Sequence, residues 1–374
     1  MKKWFIVVLL VMMASLVLAA CGTPATEAPV VEEAPAELVV TEEAVVEAPV
    51  EPEWMAPEGA LVAAMVGAAP ALDGIGDEAF WADAQEIVIH VDSGANMVST
   101  DVHIKAVYTA DEVFFLVTYA DPTQSFLRAP WQLNEDGTWT AVKDPDDKGG
   151  DNNLVYEDKM SFIWPINASI PNFETVGCFA ACHAGEDSDA KPYGNKYTAN
   201  EGEMGDIWHW KSIRNLGQFH DQYLDSTRYS ADTAGAGRHS DPSESGGYVT
   251  NATEDKTGPA FTSAAVDPVT GAPGFILDSE KVEIDASALA AGSYIPGIVK
   301  SAFVGDGGDI SAGWVYADGN WTIELGRLLV TGSEFDVQFE DITTPYYFGV
   351  AVFDNAQVRH AYQTGASFLV FQPE

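Results

Sequence analysis

Between Glu86 and Asp121 the chain carries three short runs in succession: "EIVIHV" (Glu86–Val91), "DVHIKAVYT" (Asp101–Thr109) and "EVFFLVTYAD" (Glu112–Asp121). Each is rich in β-branched and aromatic residues and is bounded by turn formers, so each predicts a strand. "KMSFIWPI" (Lys159–Ile166) and "YYFGVAVFD" (Tyr346–Asp354) read the same way. "WVYADGNWTIEL" (Trp314–Leu325) reads as a hairpin turning on Asp318-Gly319. Few stretches sustain an apolar period of 3.6, which leaves room only for short helices. Strands at this spacing, with no internal repeat, predict a mainly β fold: a single β-sandwich domain with short helices and long loops. From Asp225 to about 275 the chain is rich in Ser, Thr, Gly, Asp and Ala, and this predicts a long loop that either covers a site or forms a surface insertion.

The N-terminus carries a different signal. Lys2 and Lys3 precede an almost wholly apolar run from Trp4 to Leu18. The run is short for a membrane span and has the layout of a secretory signal peptide, residues 1–20; an uncleaved anchor helix is the alternative. It closes on Leu18-Ala19-Ala20-Cys21, the pattern of a bacterial lipobox in which the cysteine is lipidated and becomes the mature N-terminus. The expected location is therefore outside the cell proper, lipid-anchored through Cys21 to the outer face of the bacterial cell membrane. Residues 21–58 follow, dominated by Glu, Pro, Ala and Val, with no Lys or Arg between Lys3 and Lys105. Such a composition predicts a disordered acidic tether, and residues 59–374 then form the folded domain.

Charge narrows the partners. The chain has 57 acidic and 18 basic residues, and loss of residues 1–20 removes two lysines and no acid. So acidic a composition argues against nucleic acid and anionic lipid surfaces as partners and favours a basic or neutral partner, or simply a solubilising surface.

With Cys21 assigned to lipid, two cysteines remain, in "GCFAACHAGE" (Gly177–Glu186). Three readings fit. The first is covalent c-type haem, with thioethers from Cys178 and Cys182 and iron ligation by His183; the spacing is one residue longer than the common Cys-x-x-Cys-His. The second is a Cys178–Cys182 disulfide, which an exported compartment permits. The third is half of a zinc site, but no second cysteine pair is present. Downstream, "GEMGDIWHWKSIRNLGQFHDQYLD" (Gly202–Asp225) holds alternating aromatic and basic residues. If Asp206–Ile213 is a strand, His209 and Lys211 share one face and Trp208 and Trp210 the other. Two indoles beside an imidazole and an amine suit a flat cofactor with a central metal. The plainer reading is an amphipathic strand with core tryptophans and a surface His and Lys.

These residues carry a family resemblance. The Cys-x-x-x-Cys-His run, "GDIWHWK", "HDQYLD" and the late "YYFGVAVFDNAQVRHA" (Tyr346–Ala361) resemble the haem-binding domain of the ethylbenzene dehydrogenase haem-subunit family, which includes haem subunits of dimethyl sulfide dehydrogenase and related molybdenum enzymes. The resemblance spans roughly Ala60 to Phe371. It implies a β-sandwich that holds one haem and passes electrons, a carrier or subunit and not a catalyst by itself. Its redox partner would be a molybdenum enzyme or another cytochrome. The molybdenum-enzyme subunits hold haem b without covalent links, through Met and Lys; the added cysteine motif looks like a branch with covalent c-type haem. The resemblance then implies His183 on one side of the iron. For the other side the candidates are, in order, Lys211, His209, His360, and the methionines Met160 and Met204, with Trp208 and Trp210 against the haem. A lysine ligand would have to be neutral, which requires burial.

A rival resemblance is carried by "PALDGIGDEAFWADAQEIVI" (Pro70–Ile89), which looks like the opening of family 9 carbohydrate-binding modules. On that reading the sandwich stacks sugars on some of its ten tryptophans and the cysteines form a disulfide. "DPDDKGGDNN" (Asp144–Asn153) offers clustered oxygens but lacks the spacing of a calcium loop. No phosphate-binding glycine loop and no Ser-His-Asp or paired-carboxylate arrangement is evident.

Overall fold

The computed structural model describes residues 54–145, 155–184, 196–228 and 237–373. The signal peptide, Cys21, nearly all of the expected tether and most of the Asp144–Asn153 loop lie outside the described residues.

In chain order the strands begin with β1 (Leu61–Met65), β2 (Glu86–Asp92), β3 (Ser99–Tyr108), β4 (Glu112–Ala120), β5 (Trp131–Leu133), β6 (Trp139–Ala141) and β7 (Lys159–Pro165). The middle of the chain gives β8 (Gly205–Lys211), β9 (His220–Leu224), β10 (Arg238–Ser240), β11 (Ser245–Thr250), β12 (Phe261–Thr262), β13 (Ile276–Leu277) and β14 (Val282–Glu283). The last third gives β15 (Tyr294–Ile295), β16 (Ile298–Val304), β17 (Ser311–Ala317), β18 (Asn320–Leu328), β19 (Tyr346–Phe353), β20 (Ala361–Tyr362) and β21 (Ser367–Phe371). The α-helices are short, α1 (Ala79–Asp83) and α2 (Phe173–Val176), and no helix among the described residues is long and apolar enough to cross a membrane.

The strands make a β-sandwich. One layer runs β17-β18-β4-β3-β2 and the other β10-β9-β8-β7-β19, with β20 and β21 on the flank of β19. The layers are joined at one side, where β1 pairs in parallel with both β3 and β21. Alternation decides which side chains face inward. From β3 and β4, Val102, Ile104, Phe115 and Val117 meet Met160, Phe162 and Trp164 of β7, Trp208 and Trp210 of β8, and Phe348 and Val350 of β19 in one core. Phe115 bridges the layers, with its ring 5.8 Å from Phe162 and 5.7 Å from Trp208. Such aromatic pairs add about 0.5–1.5 kcal/mol each beyond their buried area. The hairpin turns on Asp318 and Gly319 as expected, both at positive φ (51° and 76°), the backbone a two-residue turn between twisted strands demands.

Two expectations are corrected. The segment from 225 to about 275 is not loop throughout: it contains β10, β11 and β12, and β11 pairs with β16. Gly246 and Gly247 hide β11 from propensity, because they sit at a bulge with positive φ. The tryptophans are mostly not available to sugars: Trp81, Trp131, Trp164, Trp208, Trp210 and Trp321 are all buried. Trp81, within α1, packs with Val107 and Phe114, and its indole N–H donates to Glu324 Oε1 at 3.0 Å.

Candidate functional site

On the outer face of β7, β8 and β19 lies a cavity of about 600 Å³, within the range of cofactor sites. Its floor is built by period-two alternation. Residues that do not face the sandwich core face it: Ser161 and Ile163 of β7, Ile207 and His209 of β8, Gly349, Ala351 and Phe353 of β19. Its roof comes from two segments far apart in sequence, the turn holding Cys178, Cys182 and His183 and the segment leading to His360 and Tyr362.

The roof turn is set by glycine. α2 anchors itself through buried Phe173 and ends at Gly177, whose φ of 56° reverses the chain into the 3-10 turn Cys178–Ala180. A Cβ on Gly177 would stand 2.0 Å from the Gly365 carbonyl oxygen, so no other residue fits. The turn closes when the His183 amide donates to the Cys178 carbonyl at 3.0 Å. Opposite, Gly349 leaves the space that the Cys178 thiol occupies, since a Cβ there would lie 2.7 Å from Sγ.

Cys178 and Cys182 are free thiols that both line the cavity, so the disulfide weighed from the sequence is not formed here. Burial pushes Cys178 up to about 12, with Cys182 adding to the shift, and burial pushes Cys182 up to about 11. Both are therefore neutral at pH 7.

Three imidazoles line the cavity. His183 Nε2 is 3.2 Å from His360 Nε2, with the rings nearly perpendicular at 82°. His209 is buried; its Nδ1 meets Gln222 Oε1 at 2.9 Å, so Nδ1 carries the proton and Nε2 keeps its lone pair. Among the described residues that Nε2 has no hydrogen-bond partner. Burial holds His209 and His360 well below the usual histidine range; Lys211 then lowers His209 further, and His183 lowers His360. Neutral imidazoles with inward-facing nitrogens are metal-ligand chemistry.

The other candidates lie elsewhere. Trp208, Trp210 and Met160 point into the sandwich core, on the opposite faces of β8 and β7 from the cavity. The indole wall expected beside a cofactor is thus core packing. Nor are His209 and Lys211 surface residues, as the plainer reading had it: both are buried. Lys211 shares the face of His209 but lies one step along β8, outside the cavity lining, where its Nζ meets His220 Nδ1 and Tyr248 Oη. Burial, then Arg214 and Arg238, hold Lys211 well below the usual amine range. Met204 precedes β8, half-buried and away from the cavity, its backbone tied to Ser169 and Ile166.

The sequence reading passed over Lys159 and Arg238. Lys159 is buried, its Nζ 3.8 Å from the Phe353 ring centre and donating to the Gln357 carbonyl at 2.9 Å, so it holds the segment that leads to His360. The signal for it was a lysine in phase with Ser161 and Ile163 on a strand with no solvent-facing side. Arg238 of β10 lines the cavity.

Comparison with known proteins agrees with the motif reading. The model of the ethylbenzene dehydrogenase family matches residues 78–365. Among curated proteins no sequence matches. Among solved structures, a family 9 carbohydrate-binding module from Caldicellulosiruptor kristjanssonii in complex with cellotriose is 7% identical, covering 84% of this chain and 95% of its own, with a TM-score of 0.31. A carbohydrate-binding protein from Bacteroides uniformis is 8% identical, covering 84% and 93%, also at 0.31. Superpositions this loose fix no residue correspondence.

Proposed function

The chain belongs to the ethylbenzene dehydrogenase family, and from that premise we propose that it is a haem-binding electron-transfer protein, a carrier or a subunit and not a catalyst by itself. The observation that carries this is the meeting, over one cavity, of two free thiols with the His183–His360 pair. These residues fit a c-type haem. Cys178 and Cys182 would hold it through thioethers, each formed by net addition of an S–H across one vinyl group. His183 and His360 would ligate the iron, because their Nε2 atoms already face one another; His209, with its free lone pair, is next in order. This replaces the order read from the strand, in which Lys211 came first. Bound haem supplies one-electron transfer, with a potential tuned by ligands and burial. The chain's own part would be to fix both imidazoles, exclude water with Ile163, Ile207 and Phe353, and offer Arg238 in the cavity lining as a cation for a propionate.

The same reading makes the protein exported and lipid-anchored through Cys21, passing electrons to a partner such as a molybdenum enzyme or another cytochrome. Its acidity favours a basic docking face on that partner. The test is expression with a cytochrome c maturation system. The holoprotein should show a Soret band, and haem should remain on the chain through acid–acetone extraction and a denaturing gel. A colourless protein overturns the proposal.

A further inference from the structure

At one rim of the sandwich, three buried carboxylates meet from strand ends that are distant in sequence. Asp121 follows β4, Asp158 precedes β7 and Asp354 follows β19, and an oxygen of each lies within 4.8 Å of the others. Among the described residues no Lys, Arg or His forms an ion pair with any of them. The contrast is with the second buried carboxylate group, Asp206, Asp221 and Asp336, which surrounds the Arg327 guanidinium at 2.9, 3.8 and 3.7 Å and so already holds a cation. Three charges removed from water with no counter-charge are unstable as they stand.

A further observation points the same way. The Tyr119 hydroxyl is buried and has no hydrogen-bond partner among the described residues, and it feels all three carboxylates: burial, then Asp158, Asp121 and Asp354, raise it well above the usual phenol range. Thr123 Oγ1, 3.4 Å from Asp354 Oδ1, adds a hydroxyl oxygen on the exposed side, where an ion can enter.

We propose that Asp121, Asp158 and Asp354 bind a divalent cation of the calcium class, which ties the two layers together at this rim. Every nearby donor is oxygen and the geometry is irregular, which suits Ca²⁺ better than Mg²⁺ with its strict octahedron. The cation also holds the segment that carries His360. Asp354 begins that segment, and the next amide, Asn355 N–H, donates to Asp158 Oδ1 at 3.0 Å. The binding site stands on its own geometry; only its influence on His360 rests on the haem reading.

The test uses the full mature chain, haem-loaded or colourless, stripped with EGTA and titrated with CaCl₂ by calorimetry, with MgCl₂ in parallel. Saturable uptake of one Ca²⁺ per chain is expected, with a rise in Tm of several degrees and weaker or no binding of Mg²⁺. Asp121→Asn should lose the calcium-dependent rise, yet melt no lower than wild type in EGTA, because it removes repulsion. Asp158→Asn should also lose that rise but melt lower in EGTA, because its amide nitrogen would face a backbone N–H whose hydrogen bond Asp158 now accepts. No calcium heat and no change in Tm for the wild-type chain would overturn the proposal, whatever the variants do. If the protein proves colourless but takes up calcium, the haem reading fails and this one stands.

Discussion

Gly349 is the position where a single methyl group tests the cavity. A Cβ there falls 2.7 Å from Cys178 Sγ and 3.3 Å from Ile163 Cγ2. Non-bonded heavy atoms settle near about 3.5–4.0 Å, so in Gly349→Ala the thiol must retreat by about 1 Å. Cys178 cannot swing away freely, because it is packed with Ile163, Phe173 and Ala181. Overpacking of this kind costs about 1–3 kcal/mol. At roughly 2–4 °C per kcal/mol for a domain of comparable size, the loss is visible by calorimetry or thermal shift. The displaced thiol should also lower the yield of covalently bound haem, read by haem staining of a denaturing gel. The cause is isolated by a double-mutant cycle with Cys178→Ala, which removes Sγ and leaves Ile163. In that background Gly349→Ala should cost less, with a coupling of about 0.5–3 kcal/mol. If the alanine costs as much without the thiol as with it, the contact is not what Gly349 serves, and the argument that the strand makes room for Cys178 is wrong.

His360→Ala should open one iron position, shift the spectrum toward high spin and let carbon monoxide bind the reduced form, while Lys211→Ala should leave the spectrum unchanged; the reverse result would restore the lysine. Cys178→Ala with Cys182→Ala should leave a folded domain whose haem is lost to acid–acetone, because the sandwich core does not pass through these residues; unchanged linkage would sink the attachment assignment. Stability in EGTA should fall as pH rises from about 6 to 9. Burial, reinforced by neighbouring carboxylates, raises Asp121 to about 7 and Asp158 to about 8. The folded chain then binds more protons than the unfolded chain, and their loss on raising the pH destabilises it by up to about 1.4 kcal/mol per pH unit for each proton. CaCl₂ should flatten that slope, and a flat Tm profile in EGTA would contradict it.

What could be read from the sequence was what depends on neighbours along the chain. Alternation within Glu112–Asp121 and Lys159–Ile166 placed the strands to within a residue or two. The cysteine motif was visible because its parts are adjacent. The face of β8 that meets the core was not legible, since every residue from Gly205 to Lys211 is buried and alternation without a wet side has no sign. That is why Trp208 and Trp210 could be placed beside a cofactor when they belong to the sandwich interior. His360 was named but ranked third, because its partner His183 lies 177 residues away and only the fold brings them together. The rim carboxylates went unread for the same reason: Asp121, Asp158 and Asp354 are single acids at three strand ends in a chain with 57.

One strand connects these features. Along β19, Gly349 makes room for Cys178, and Phe353 lies against His209, His360 and the Lys159 ammonium. Asp354 then enters the carboxylate group, and the chain turns back toward His360. His183 is fixed from its own turn, through Cys178, and His360 is fixed from the rim, through Asn355 and Gln357. The two imidazoles are therefore held by separate backbone supports and meet through their own Nε2 contact. Weakening the rim should act first on the His360 side, whereas a change at Gly177 should act first on the His183 side and also press on Gly365, because a Cβ there meets the Gly365 carbonyl. On the proposed haem reading, a cation bound at the rim would act on His360 first and reach the attachment at Cys178 and Cys182 only through it.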